Sequence, residues 1–357
     1  MNMKEKLKSS LEIISVIILA LFCLTESHAV KDSIYNAVMR CLETVIPSLY
    51  AMMILSRILT KSGLIGRISS YTGIFPPVFV FSVFAGYPVG TGILCSEYEC
   101  GNISRRQAQV MSGICYGAGS AFINGCIAGR LYGKGSEGNI ILISTVGADV
   151  ILSLFMIPFL KGKYQKNDKI HISSNLLNES ISESGRSMGI ICLSVVFFSV
   201  ISVFLQYTGI ISLAGDMLSR ITGRDKSICE GMIYTLMDIT NAENLTKGDR
   251  TLLPFLSFVT AFGGVCVLFQ IKAVTGERIS LMLFIIMRIF AAVMSAVICR
   301  LIMPLMLKGE TVYVSVNMSV HKAESPVPSV MLILMTFFII GESNGLFNTN
   351  KKYSQNA

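Results

Sequence analysis

Apolar residues in this chain fall into long blocks separated by short polar stretches, and the block lengths set the first expectation. About 20 apolar residues at a rise of roughly 1.5 Å cross the hydrocarbon of a bilayer. On that measure the pattern predicts spans near 11–24, 45–60, 107–129, 138–160, 187–206, 252–271, 281–307 and 329–341. Two further blocks, 73–96 and 226–244, are interrupted. The charge-free run Ile68–Ser96 contains Pro76, Pro77 and Pro88 with Gly86, Gly90 and Gly92, which cannot all share one helix. Proline lacks the amide donor and clashes with the preceding turn, and glycine raises the entropic cost of helix. Irregular backbone at membrane depth survives only against protein or a water-filled cavity. Residues 30–44 and 210–221 have helical spacing with one polar face and suit helices lying at the membrane surface.

Composition supports the same class. The 357 residues are 52% hydrophobic and 15% charged, with mean hydropathy +0.63. Soluble domains carry about 25% charged residues, so the expected fold is an all-α polytopic membrane protein. The net charge of +8 resides in short inter-span loops, where it reads as a topology signal rather than a nucleic-acid footprint. Lys4, Lys6 and Lys8 precede apolar residues 13–24 and then Ser27-His28-Ala29, which reads as a cleavable signal peptide or as a retained first helix. The second reading suits a polytopic chain.

The organisation expected is an N-terminal membrane helix (1–29), a first half (30–160), a cytoplasmic linker (161–186), a second half (187–308) and an extension with a short membrane helix (309–357). The halves echo one another. Gly63, in Ser56–Ile65, matches Gly209 in Ser202–Ile211 at an offset of 146, and Gly119 matches Gly264 at 145. Lysines 61, 161, 163, 166, 169 and 272, with Arg67 and Arg278, place the N-terminus and linker in the cytoplasm if both interrupted segments enter and leave from one side. Spans 45–60 and 187–206 then run in opposite directions. That makes an inverted repeat with two broken or re-entrant segments, the construction common among secondary transporters.

Four segments carry candidate chemistry. At the first break, Gly86 and Gly90 would let backbone approach a solute, and Tyr87 would stack on it or hydrogen-bond to it. Pro88 would start a half-helix whose amides, through Thr91, form an anion site. In Tyr116–Gly125 small residues around Gly119 suit close helix packing, while Ser120 and Asn124, four apart, present polar groups to one face. In the second interrupted block, Asp238 lies among Leu236, Met237 and Ile239, with Thr240 and Asn241 following. An intramembrane carboxylate reads as a cation or proton site, against the alternative of a solvated helix cap. Gly263-Gly264 invites an unwound turn, and Gln270 brings an amide nearby. Asp149 reads as a helix–helix contact, and Arg288, isolated in Leu281–Cys299, needs a partner. The ten cysteines lie mostly in apolar runs, and the three histidines (His28, His171, His321) in polar segments. No metal cluster, catalytic pair or cofactor motif is expected, nor an enzyme.

The boxes Ile46-Pro47-Ser48-Leu49, Ala85-Gly86-Tyr87-Pro88-Val89-Gly90 and Gly101-Asn102-Ile103-Ser104 continue into three more: Ala118–Gly125, Met237–Thr240 and Gly263–Gln270. In this order they resemble the YlbJ-type sporulation integral membrane proteins of the nucleoside-recognition (Gate) family, related in architecture to concentrative nucleoside transporters. The resemblance runs from about Ile46 to Gln270. It departs from the family pattern at Gly119-Ser120, where many relatives carry Asn-Pro or Gly-Pro, and at Asp238, more usually glutamate. The resemblance implies transport of a small anionic or nucleoside-like solute in a spore-forming bacterium, with dipicolinate a candidate, at the cell membrane or the outer forespore membrane. The alternative it leaves is a non-transporting scaffold in a spore-envelope complex. Partners expected are the lipid bilayer and a small solute, with no nucleic acid; self-association is left open.

Overall fold

A computed structural model of the chain describes residues 3–133, 135–160 and 175–307. The expected short span 329–341, the extension 309–357 and most of the linker lie outside the described residues. Among these residues every regular element is helical, and five helical stretches are long and apolar enough to cross a membrane: Ser27–Lys61, Gly135–Met156, Leu176–Tyr207, Arg250–Thr275 and Leu281–Met306. The chain is a helical membrane protein by this architecture.

Helix α1 (Met3–Thr25) is followed by α2 (Ser27–Arg40) and α3 (Ile46–Lys61), which one π turn, Cys41–Val45, joins without interruption. The surface helix expected over 30–44 is therefore the first part of this long rod. Its buried stripe Ala37, Cys41, Val45, Leu49, Met53 advances four residues at a time. Such a stripe overshoots a 3.6-residue turn, and one wider turn recovers the overshoot. The rod packs antiparallel on α10 (Leu176–Tyr207). Ser33 Oγ donates to the Ser199 carbonyl at 3.1 Å, Tyr50 Oη to Ile181 O at 3.4 Å, and Lys61 Nζ meets Glu179 at 3.2 Å. Helix α10 thus begins well before the expected start at 187: Glu179 and Glu183 have Lys61 and Arg57 to face, and Ser180 and Ser184 are fully buried.

The element order repeats. Helix α3 ends at Gly63 (φ 75°) and α4 (Leu64–Thr72) follows; α10 ends at Gly209 (φ 75°) and α11 (Ile210–Thr222) follows. Only glycine takes this left-handed turn without a Cβ penalty. Helix α11 exposes Leu213, Met217 and Ile221 on one face while Ile211 and Gly215 are buried. The first interrupted block becomes α5 (Phe75–Ala85) and α6 (Val89–Glu99), and the second becomes α12 (Lys226–Met237) and a 3₁₀ turn, Ile239–Asn244.

Each of the next two expected spans is itself broken. Residues 107–129 are not one helix. α7 (Arg105–Ile114) stops, residues 115–119 run without helix, and a π turn Phe122–Ala128 leads into α8 (Gly129–Tyr132). Residues 252–271 divide at Gly263 into α13 (Leu253–Phe262) and α14 (Gly264–Thr275). The described residues therefore hold four breaks rather than two. Last in each half stand α9 (Gly135–Leu160) and α15 (Leu281–Met306), both 26 residues long, with Pro158 and Pro304 in corresponding last turns. They also run antiparallel: Leu152 and Met156 cluster with Met287 and Ala291, whereas Gly147 faces Ile298.

Candidate functional site

The four breaks converge. At the first, Gly86 holds φ 77°, and a Cβ there would lie 2.6 Å from the Gly119 nitrogen. The Tyr87 amide donates to Gly117 O at 2.8 Å. At the fourth, Gly264 (φ 80°) would place a Cβ 3.1 Å from Leu236 O. The Tyr116 hydroxyl fills the space where a Gly263 side chain would stand and donates to Phe262 O at 3.2 Å. These glycines do let backbone approach closely, but what approaches is another break of the same chain. Gly90 behaves alike, packed on Cys115 O and Ser82. The close approach expected for a solute at Gly86 and Gly90 is made here by protein.

Between the breaks lies a cavity of about 20 Å³. Tyr87, Ala118, Gly119 and Phe122 line it from the first half, and Asp238, Ile239, Thr240, Val267 and Gln270 from the second, with Val45, Leu49, Ile191 and Val195 on the long rods. A space of this size holds one water. Five sequence-derived site residues thus meet here: Tyr87, Gly119, Asp238, Thr240 and Gln270. The ring of Tyr87 stacks on Tyr116 with centroids 5.0 Å apart, and its buried hydroxyl has no hydrogen-bond partner. One face of Tyr87 therefore stacks on protein.

Asp238 is 2% exposed and sits at the end of α12, where the helix breaks. Its carboxylate accepts from Thr240 N at 3.0 Å and Thr240 Oγ1 at 2.9 Å, so it caps the 3₁₀ turn. The cap is real, but it is buried rather than solvated. Arg40 contributes a positive charge to its surroundings, and among the described residues no lysine, arginine or histidine lines the cavity. Gln270 Nε2 is 3.4 Å from Cys266 Sγ, a weak acceptor.

The remaining candidates stand aside from the cavity. Pro88 precedes α6 and follows a cis peptide bond. Thr91 is buried with an unpartnered hydroxyl. Asn124 donates to Ser120 O at 3.1 Å and packs against Gly138 of α9. Asn241 Nδ2 donates to Tyr234 O at 3.2 Å, satisfying a carbonyl at the end of α12. Gly263 serves as the left-handed hinge before α14.

Two groups matter more than their sequence context suggested. Arg288, 0% exposed, pairs with Asp149 Oδ1 at 2.7 Å and lies 4.7 Å from the Tyr116 ring centroid. Its isolation in an apolar run signalled a partner; its place between two breaks had no sequence signal. Arg130 pairs with Glu243 and, at 3.8 Å, with Glu43, linking α8, the 3₁₀ turn and the π turn of the long rod. A larger open basin of about 490 Å³ lies at Tyr98, Arg105, Thr275 and Arg278. Its charges are engaged, since Arg105 donates to Glu277 O and Arg278 pairs with Glu99.

Comparisons with family models, with curated proteins and with solved structures find no match.

Proposed function

We propose that this chain is a transporter-like membrane protein that binds a small nucleoside-like solute where its four helix breaks converge. The observation that carries the reading is the cavity itself, lined from both halves by broken helices, with Tyr87, Asp238, Thr240 and Gln270 among its lining residues. Broken helices facing one another near mid-membrane are the usual place for solute and coupling-ion sites in secondary transporters. The motif resemblance to the Gate family points the same way, and it alone supplies the sporulation setting.

The inverted repeat belongs to this proposal. Corresponding elements recur at an offset of 146 residues in Gly63/Gly209, Pro158/Pro304 and the starts of α9 and α15. Both corresponding helix pairs, α3 with α10 and α9 with α15, run antiparallel, as inversion requires.

Of the solutes the resemblance implies, the cavity favours the nucleoside-like over the dianion. Among the lining residues Asp238, Gln270, Tyr87 and Thr240 carry the group types that recognise ring N–H groups and sugar hydroxyls once the breaks part. Two unit charges of like sign 4 Å apart repel by about 4 kcal/mol at an effective dielectric of 20. An ionised Asp238 sets that repulsion against dipicolinate, and no cation stands among the described lining residues to offset it.

One observation favours the scaffold alternative. At about 20 Å³ the cavity admits no nucleoside, so transport requires the breaks to part. Uptake into liposomes by the purified chain, with radiolabelled uridine, adenosine and dipicolinate offered in parallel, tests the proposal. Saturable nucleoside uptake supports it. Uptake of dipicolinate alone reverses the solute preference, and no uptake of any of the three leaves the scaffold reading in possession.

A further inference from the structure

A helix that stops inside a membrane leaves its last carbonyls without intrahelical donors, and no water is at hand to satisfy them. At the end of α7, Met111 O accepts from Cys115 N at 2.6 Å and Ile114 O from Tyr116 N at 2.8 Å. Gly113 O accepts from Arg288 Nη1 at 2.9 Å. At the end of α13, Val259 O accepts from Gly263 N at 2.6 Å, and Phe262 O from the Tyr116 hydroxyl. Ala261 O accepts from Arg288 Nε at 2.9 Å and also from Nη2. One guanidinium on α15 therefore caps a broken helix in each half at the same time. Asp149 of α9, on Nη1, balances its charge.

We infer that Arg288 is a positioning residue that ties the two α7 and α13 breaks into one unit and, through Tyr116, sets Tyr87 in the cavity wall. The path is short. The guanidinium carbon is 4.7 Å from the Tyr116 centroid, and the Tyr116 ring stacks on Tyr87 at 5.0 Å. The Tyr116 hydroxyl also crosses from the α7 break to the α13 break. Arginine suits this place because its planar fork presents donors in several directions at once; the single ammonium of lysine is a point charge. The positioning claim rests on reading the cavity as a solute site, whereas the tie between the breaks does not.

Hydrogen exchange read by mass spectrometry on the full chain in lipid nanodiscs separates the two. Arg288→Lys keeps the charge beside Asp149 but cannot span both carbonyls. Amide exchange should quicken at least tenfold in both 113–119 and 261–266, with the interiors of α9 and α15 unchanged. Quickening at one break alone, at neither, or evenly along α9 and α15 overturns the tie. Tyr116→Phe keeps the ring and removes only the hydroxyl, so it covers the case in which Arg288→Lys fails to fold. It should quicken exchange at 261–266, and unchanged protection there counts against the tie. In the liposome assay Arg288→Lys should raise KM for uridine at least fivefold with Vmax within twofold. An unchanged KM overturns the positioning role. Absence of uridine uptake by the unaltered chain overturns the solute reading on which that role rests, while the exchange result still decides the tie.

Discussion

Arg288 and Asp149 meet at 2.7 Å in the interior of the helix bundle, one on α15 and the other on α9, the two 26-residue helices that close the halves. Removing one member of a buried pair strands the other charge, at a cost of about 3–5 kcal/mol. Arg288→Met and Asp149→Leu should each destabilise on that scale, measured by denaturant unfolding in detergent. The double variant should recover part of the loss, but not all, because Gly113 O and Ala261 O stay uncapped. Full recovery would mean that the carbonyl bonds contribute nothing.

Asp238→Asn should leave the protein folded and inserted while reducing nucleoside uptake at least tenfold. Asparagine retains an acceptor for Thr240 but carries no charge, so a purely structural cap largely survives the change. Liposome uptake beside the melting temperature checks this. Unaltered uptake would return Asp238 to the role of a helix cap.

Tyr87→Phe separates stability from function by sign. A buried hydroxyl without a partner costs about 1–3 kcal/mol, and the Tyr87 hydroxyl is in that position. Its removal should leave stability unchanged or raise it by about 1 kcal/mol, while weakening uridine uptake severalfold. A thermal melt that falls, with uptake intact, would show that the hydroxyl serves the fold instead.

Gly86→Ala should be severely destabilising, by more than 3 kcal/mol in unfolding experiments, because it adds left-handed strain to a backbone clash. The new Cβ would lie 2.6 Å from the Gly119 nitrogen. Gly92→Ala is the control in the same block. Its Cβ would meet nothing nearer than Val274 at 3.9 Å, and it should cost little. Equal effects would remove the case for a tight crossing of the first two breaks.

Much of the architecture was legible from residue type alone, because membrane insertion selects on local composition. Block length marked several of the spans, Pro76-Pro77 and Gly86–Pro88 marked a break, and Gly63 and Gly209 marked an echo between the halves that the structure makes into two left-handed turns. Asp238 among apolar residues already stood out as costly, and the offset between Gly63 and Gly209 recurs in the helices that follow. Tertiary structure decided what these features touch. Residues 107–129 are largely apolar and free of proline, and at the break at 115–119 Arg288 Nη1 and the Tyr116 amide supply donors to the freed carbonyls of Gly113 and Ile114. Residues 30–44 carry a polar face, and they continue as rod rather than surface helix because α10 offers a groove along their whole length. Gly86, read as a place for solute to approach, faces Gly119, and Gly90 faces Cys115 O. A residue's chemistry is a local property, but the partner that satisfies it comes from 27 to 175 positions away in the case of Arg288, and only the folded chain brings the two together.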